Sequence, residues 1–149
     1  MPNSSEMYLS EYMPKSELVV EQHQVPLPKF PVIDVHTHFG SVLVGRDYDE
    51  LYDIEEVVRN FKSFGVKNII NLDGQWGDEL IRILKKTQPH EDFIITFGSV
   101  DVRKLDDRDF ESYVRKTILE SKERGIRGLK FFKDVSLVNK DRNGKYIAV

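Results

Sequence analysis

The feature that most constrains the fold is a unit of about thirty residues that occurs four times along the chain. In each unit a short apolar run is followed by a polar loop or an amphipathic helical segment, and the apolar runs begin near residues 32, 66, 93 and 126. Strands that alternate with helices form right-handed βαβ units around a parallel sheet. The sequence therefore predicts an α/β fold.

Element boundaries follow from spacing and from glycine. Apolar residues recur on one helical face from Leu51 to Phe64, and Gly65 stands where a helix C-terminal cap belongs. Gly125 is placed in the same way after a segment from Asp107 to Arg124. A third helix is predicted from Asp78 to Thr87. The predicted strands are 31–38, 66–72, 93–97 and 126–132.

Two parallel architectures fit this order, a doubly wound open sheet or part of a (β/α)8 TIM barrel. A complete barrel takes about 250 residues, whereas this chain has 149. If it is a barrel, residues 31–149 are its first four βα units, a partial barrel with strands 1 to 4. Residues 1–30 carry four of the six prolines and are expected to form a short N-terminal arm on the domain surface, with a short strand at 17–21.

Composition excludes several classes of function. The net charge is −3, with basic and acidic residues interleaved, so we expect no nucleic-acid partner. There is no cysteine, which excludes disulfides and thiolate metal sites. No apolar run approaches the roughly 20 residues of a membrane span, and the polar start lacks a secretory signal. We therefore expect no membrane partner and a cytoplasmic location.

His36 and His38 stand two residues apart at the end of the first predicted strand. Strand side chains alternate between faces, so both imidazoles are expected on one face, together with Asp34, while Ile33 and Val35 face covering helices. The carboxyl ends of parallel strands are where α/β folds place their sites. Imidazole suits zinc, manganese, iron or nickel. We predict a divalent metal, zinc first, with Asp34 supporting an imidazole.

Two segments resemble a known family. The run FPVIDVHTHFG, residues 30–40, is similar to the first strand of the amidohydrolase superfamily, in particular its amidohydrolase-related group. The run GIRGLKFFK, residues 125–133, resembles the fourth strand of that group. The resemblance covers roughly residues 30–135. It implies a distorted TIM barrel with one or two divalent metals that activate water to hydrolyse a small molecule, and it matches His36 and His38 to the first-strand metal ligands.

The resemblance also gives an expectation for Lys130. In many binuclear members a fourth-strand lysine is carbamylated and bridges two metals, but a single metal is more usual in the group that this chain resembles. We therefore expect Lys130 to line the pocket and orient substrate charge. The family's other ligands, histidines after strands five and six and an aspartate after strand eight, would lie beyond Val149. The chain is thus expected to hold the N-terminal half of the site and to be inactive alone.

Other residues near predicted strand ends are candidates for the pocket rim. Asp73 and Asp101 each follow a strand, and Trp76, the only tryptophan, lies in the loop after the second strand. His23 in the arm and His90 before the third strand are expected to be solvated.

Several alternatives remain open at this stage. A non-oxidative decarboxylase on the same metal scaffold is the nearest one. A TatD-like nuclease or a polymerase-and-phosphatase-type barrel is a more distant one, since both begin with a histidine pair on strand one. A third alternative is an inactive fragment or association module that self-associates through open sheet edges.

Overall fold

The computed structural model describes residues 8–40, 53–133 and 137–147. It confirms the predicted α/β order of parallel strands and helices. The elements, in chain order, are β1 (Val32–Thr37), α1 (Ile54–Ser63), β2 (Val66–Gln75), α2 (Gly77–Thr87), β3 (Ile94–Gly98), α3 (Phe110–Arg124) and β4 (Gly128–Leu129). Within the described ranges, no helix has the length and apolar character needed to cross a membrane.

The strands form one parallel sheet in the order β1-β2-β3-β4. This sheet is curled into a half-barrel. The curl is clearest at Gly74 near the end of β2, where a Cβ atom would lie 2.9 Å from the carbonyl oxygen of Lys130, just after β4. Because β3 lies between them, a flat sheet would hold these two strands about 9.5 Å apart.

The convex face of the half-barrel carries the helices and the core. Ile69 of β2 pairs with Ile94 of β3, and both are buried against Val58 of α1. Phe39 and Phe93 complete this buried cluster. On the concave face the side chains are only half-buried, among them Ile70, Leu72, Ile95 and Phe97. The concave face is where a complete barrel would have its packed interior.

The predicted caps end two helices as expected. Gly65 has a φ of 78° after α1, and Gly125 has a φ of 118° after α3. Both values fall in the left-handed region, which glycine adopts without steric cost. At the other end of α1, the Asp53 carboxylate accepts a hydrogen bond of 2.9 Å from the Glu55 N–H. Leu51, predicted as the first apolar residue of this helix, lies outside the described residues.

The expectation that helices cover β1 is wrong. Ile33 and Val35 are 53% and 61% exposed. The reason is the register of β1: Asp34 is aligned with Ile69 of the helix-covered face, so the adjacent Ile33, aligned with Asn68, lies on the concave face. In the part of the chain that the structure describes, β1 therefore has one unpaired edge and an uncovered apolar face.

Two further strand predictions need correction. Residues 17–21 form no strand, and Leu18, Val19 and Val20 are exposed rather than packed on the domain. An isolated extended segment has no partner for its backbone groups, so the local apolar run alone does not make a strand. The fourth strand is limited to two residues because its partner β3 ends at Gly98.

Candidate metal centre

The two candidate ligands lie side by side at the carboxyl end of β1. The ring centroids of His36 and His38 are 5.2 Å apart, with an angle of 56° between the ring planes. His36 is exposed, whereas the His38 side chain is only 11% exposed. The alternation of a strand predicts two rings on one side, and this geometry agrees with it.

Anchors on both sides of His38 hold this end of β1 in place. The Thr37 hydroxyl donates a hydrogen bond of 2.9 Å to the carbonyl oxygen of Ile70. Phe39 is buried in the core with Ile69. Since the residues before and after His38 face the sheet and the core, the His38 ring has little freedom to turn away.

Asp73, at the end of β2, lies inside the protein rather than on a pocket rim. Its side chain is only 1% exposed. Both carboxylate oxygens accept the Phe39 N–H, at 3.1 Å each. One of them, Oδ1, lies 3.4 Å from Nδ1 of His38. The rim prediction for Asp73 is therefore wrong, and its carboxylate joins the ends of β1 and β2 beneath the histidine pair.

The environment of His38 fits a metal ligand. Its Nδ1 is buried and makes no hydrogen bond among the described residues, yet it faces the Asp73 carboxylate. A carboxylate beside one imidazole nitrogen favours the proton on that nitrogen and leaves the other nitrogen with a free lone pair. Metal-binding histidines are commonly oriented in this way. The residues present thus fit a divalent metal bound through Nε2.

Asp34 does not take the supporting position that its spacing predicts. Its Oδ1 accepts a hydrogen bond of 3.0 Å from the backbone N–H of His36, and in the described residues it bonds neither imidazole ring. The register of β1 shifts between Asp34 and Thr37, and Asp34 pairs with Ile69 of the helix-covered face. This irregularity breaks the simple alternation from which the shared face was predicted.

Lys130 lies on the concave face just after β4, at the carboxyl end of the sheet, the end that also carries the histidine pair. Its backbone N–H donates to the carbonyl oxygen of Gly98 at 2.8 Å, which continues the β3–β4 pairing. Its side-chain stem packs along Gly74, and its ammonium group lies 5.9 Å from the ring centroid of Phe132. The structure gives Lys130 no contact with His36 or His38.

Asp101 and Trp76 are joined through Arg103, which the sequence analysis does not single out. Arg103 forms two hydrogen bonds to the buried Asp101 carboxylate, of 2.6 and 2.7 Å. These bonds hold the pKa of Asp101 below its ordinary value. The Arg103 guanidinium also lies 5.8 Å from the Trp76 ring centroid. Asp101 therefore orders the loop after β3. In the sequence, this ion pair is indicated only by the arginine two residues after Asp101.

The remaining histidines differ from each other. His23 is exposed, as predicted. His90 is only 13% exposed, and its Nε2 lies 2.9 Å from a Glu55 carboxylate oxygen. The prediction of a solvated His90 is wrong, because the short 3-10 helix Gln88–His90 brings this ring against the first turn of α1.

No group of three or more histidine, aspartate, glutamate or cysteine side chains suited to a metal occurs in the described ranges. Protein zinc sites use at least three protein ligands, so these two histidines alone would not complete such a site. No protein-family model matches the chain, and neither a curated protein nor a solved structure matches it. The fold and the geometry of the histidine pair define the class of protein as an α/β half-barrel that carries two histidines at the carboxyl end of its edge strand.

Proposed function

We propose that this chain forms the first four βα units of a TIM barrel of the amidohydrolase type, and that His36 and His38 bind a divalent metal, zinc first. In this proposal the complete barrel hydrolyses a small-molecule substrate. The described chain supplies two ligands and the support beneath them. The other ligands and the general base come from the second half of the barrel.

One observation carries the proposal. Two imidazoles lie 5.2 Å apart at the carboxyl end of a parallel strand, and the buried Nδ1 of one faces a buried carboxylate at 3.4 Å. A histidine that only fills space requires neither a buried carboxylate beside one ring nitrogen nor a second imidazole next to its ring. A buried nitrogen directed at a carboxylate, next to a second imidazole, is instead typical of an oriented ligand pair.

Each residue has a defined part in the proposed chemistry. A divalent metal, when bound, supplies water activation and polarisation of the scissile bond. His36 and His38 hold it, and Asp73 keeps the proton of His38 on Nδ1. Lys130, on the concave face, attracts a negatively charged part of the substrate. Its stem packs on Gly74 near the carboxyl end of β2, the end of the sheet that also carries the histidines.

Metal binding by this chain joined to the second half of the barrel tests the site directly. Titration of Zn²⁺ by isothermal calorimetry should show binding to the joined protein with the wild-type sequence of this chain. His36→Ala and His38→Ala should each remove this binding. His23→Ala provides the matched control, because it removes an exposed imidazole of the arm and should leave the binding unchanged. Equal Zn²⁺ affinity in all four proteins would refute the metal site.

The reaction is tested with this chain joined to the second half of the barrel. Esters, lactones and carboxylic acids form the screening panel, and release of carbon dioxide separates decarboxylation from hydrolysis. Turnover should disappear with a chelator and return with the metal. Turnover that resists both the chelator and His36→Ala would contradict the proposed hydrolase.

Association through the sheet edges is a second candidate, favoured by the exposure of β1. Ile33 and Val35 leave an apolar surface beside an unpaired strand edge, a feature that promotes pairing with another chain. Sedimentation velocity of the purified chain distinguishes the cases. A concentration-dependent dimer supports association, and a monomer at every concentration excludes it.

A further inference from the structure

The last strand of the sheet, β4, has an unpaired edge. The backbone N–H groups of Arg127 and Lys130 donate to β3, and among the described residues no strand pairs with the other edge of β4. An unpaired strand edge is a template for a further strand. A groove of about 350 Å³ lies between β4 and α3, and we call it the α3–β4 groove; it is lined by Ile118, Lys122, Ile126, Arg127, Gly128 and Leu129.

The α3–β4 groove combines apolar surface with positive charge. Ile118 of α3 and Leu129 of β4 supply apolar side chains, and Lys122 and Arg127 supply two cations. Neither cation forms an ion pair within the part of the chain that the structure describes. Arg127 and Leu129 are two residues apart on the strand and share the face directed at α3. A strand added to β4 would therefore set one of its faces against apolar groups and two cations.

One segment of the N-terminal arm has the complementary pattern. Residues 17–21 read Glu-Leu-Val-Val-Glu, and they pair with no strand in the described structure. Strand alternation would place Val19 on the same face as Glu17 and Glu21. Val19 is 95% exposed, and Glu21 lies 3.9 Å from the exposed His23 of the arm. This face thus offers a valine between two carboxylates, which matches the apolar and basic lining of the α3–β4 groove.

The arm is attached to the domain only near its end. An added Cβ atom at Gly65, just before β2, would lie 3.1 Å from Cγ of Pro28. Residues 10–27, which precede this contact, are all exposed. The arm of the described chain therefore leaves its own α3–β4 groove uncovered and presents residues 17–21 to a neighbouring molecule.

We propose that residues 17–21 of one copy of this chain pair with β4 of a second copy, as a fifth strand of its sheet. Val19 packs in the α3–β4 groove, and the two flanking glutamates lie beside its two cations. Leu18 and Val20, on the other face, extend the apolar concave face. Backbone hydrogen bonds at a sheet edge supply affinity, and the alternate side chains supply specificity. Because each copy has one arm and one groove, reciprocal exchange closes a two-fold dimer.

Sedimentation velocity of the 149-residue chain tests this exchange. The wild type should form a dimer. Val19→Lys should raise the dissociation constant at least about tenfold, since it directs a cation at Lys122 and Arg127. Val25→Lys is the matched control, because Val25 is an exposed valine of the arm outside the paired segment, and it should dimerise as the wild type does. A monomeric wild type, or a Val19→Lys variant that dimerises as tightly as Val25→Lys, overturns the proposal.

Charge reversal then tests whether the arm binds the groove of another copy. One double variant, Glu17→Lys with Glu21→Lys, reverses the arm, and a second, Lys122→Glu with Arg127→Glu, reverses the groove. All four side chains are exposed, so both variants should fold. Each alone should be monomeric because like charges face each other, whereas an equimolar mixture should form a heterodimer. A mixture that stays monomeric overturns the exchange, and this outcome is independent of Zn²⁺ binding.

Discussion

Substitution of Gly74 by alanine probes the curl of the sheet. Gly74 has a φ of +61°, and a Cβ atom there would lie 2.9 Å from the Lys130 carbonyl oxygen and 3.3 Å from its Cγ. The contact joins β2 to the end of β4 across the intervening strand. Alanine at this position would therefore have to push apart the two strands whose approach defines the half-barrel.

The cost has two parts, and a second glycine separates them. The left-handed conformation costs alanine about 1 to 2 kcal/mol, and overpacking against a fixed backbone adds about 1 to 3 kcal/mol. Gly74→Ala should thus destabilise the protein by about 2 to 5 kcal/mol. Gly77 has nearly the same φ, +59°, but no atom lies within 4 Å of an added Cβ. Gly77→Ala should show the conformational cost alone.

Urea unfolding measures both variants against the wild type by linear extrapolation with a shared slope. The free energy of unfolding should fall further for Gly74→Ala than for Gly77→Ala, by at least about 1 kcal/mol. Equal losses in the two variants would mean that β4 does not approach β2. In that case the curled half-barrel described above would be incorrect, and an open doubly wound sheet would be favoured.

Three other predictions follow from the same structure. Asp73→Asn keeps an acceptor for the Phe39 N–H but removes the charge facing the imidazole, so Zn²⁺ affinity in calorimetry should fall about 10- to 100-fold; an unchanged affinity would contradict the supporting role of Asp73. The pKa of Asp101 is lowered in the folded state by Arg103, so this pair stabilises the protein above about pH 4 and the contribution is lost as pH falls through the lowered pKa. Between about pH 5 and pH 2, Arg103→Gln should therefore lose less stability than the wild type in urea unfolding, and parallel losses would refute the coupling. Ile33→Lys should change the free energy of unfolding by less than about 0.5 kcal/mol, as substitutions at exposed sites do. Ile69→Ala, at a buried site, should lower it by about 2 to 5 kcal/mol. A comparable loss in both variants would show that the Ile33 side chain is buried.

Local sequence determined the order and the ends of most elements. Apolar runs and helical spacing depend on neighbouring residues, and Gly65 and Gly125 end their helices for a reason confined to one residue, the low steric cost of a positive φ. The proximity of the His36 and His38 rings also follows from two-residue spacing on a strand. These features were predictable because each depends on the backbone within a few positions.

Contacts between distant segments were decided by the tertiary structure alone. Nothing local indicates that Asp73 rather than Asp34 faces an imidazole, since this depends on the register shift in β1 and on the packing of β1 beside β2. The exposure of Ile33 depends on the register that places it on the concave face, and the burial of His90 depends on its approach to Glu55. Burial and partner choice are properties of the assembled chain, because they depend on which residues far apart in sequence occupy the neighbouring space.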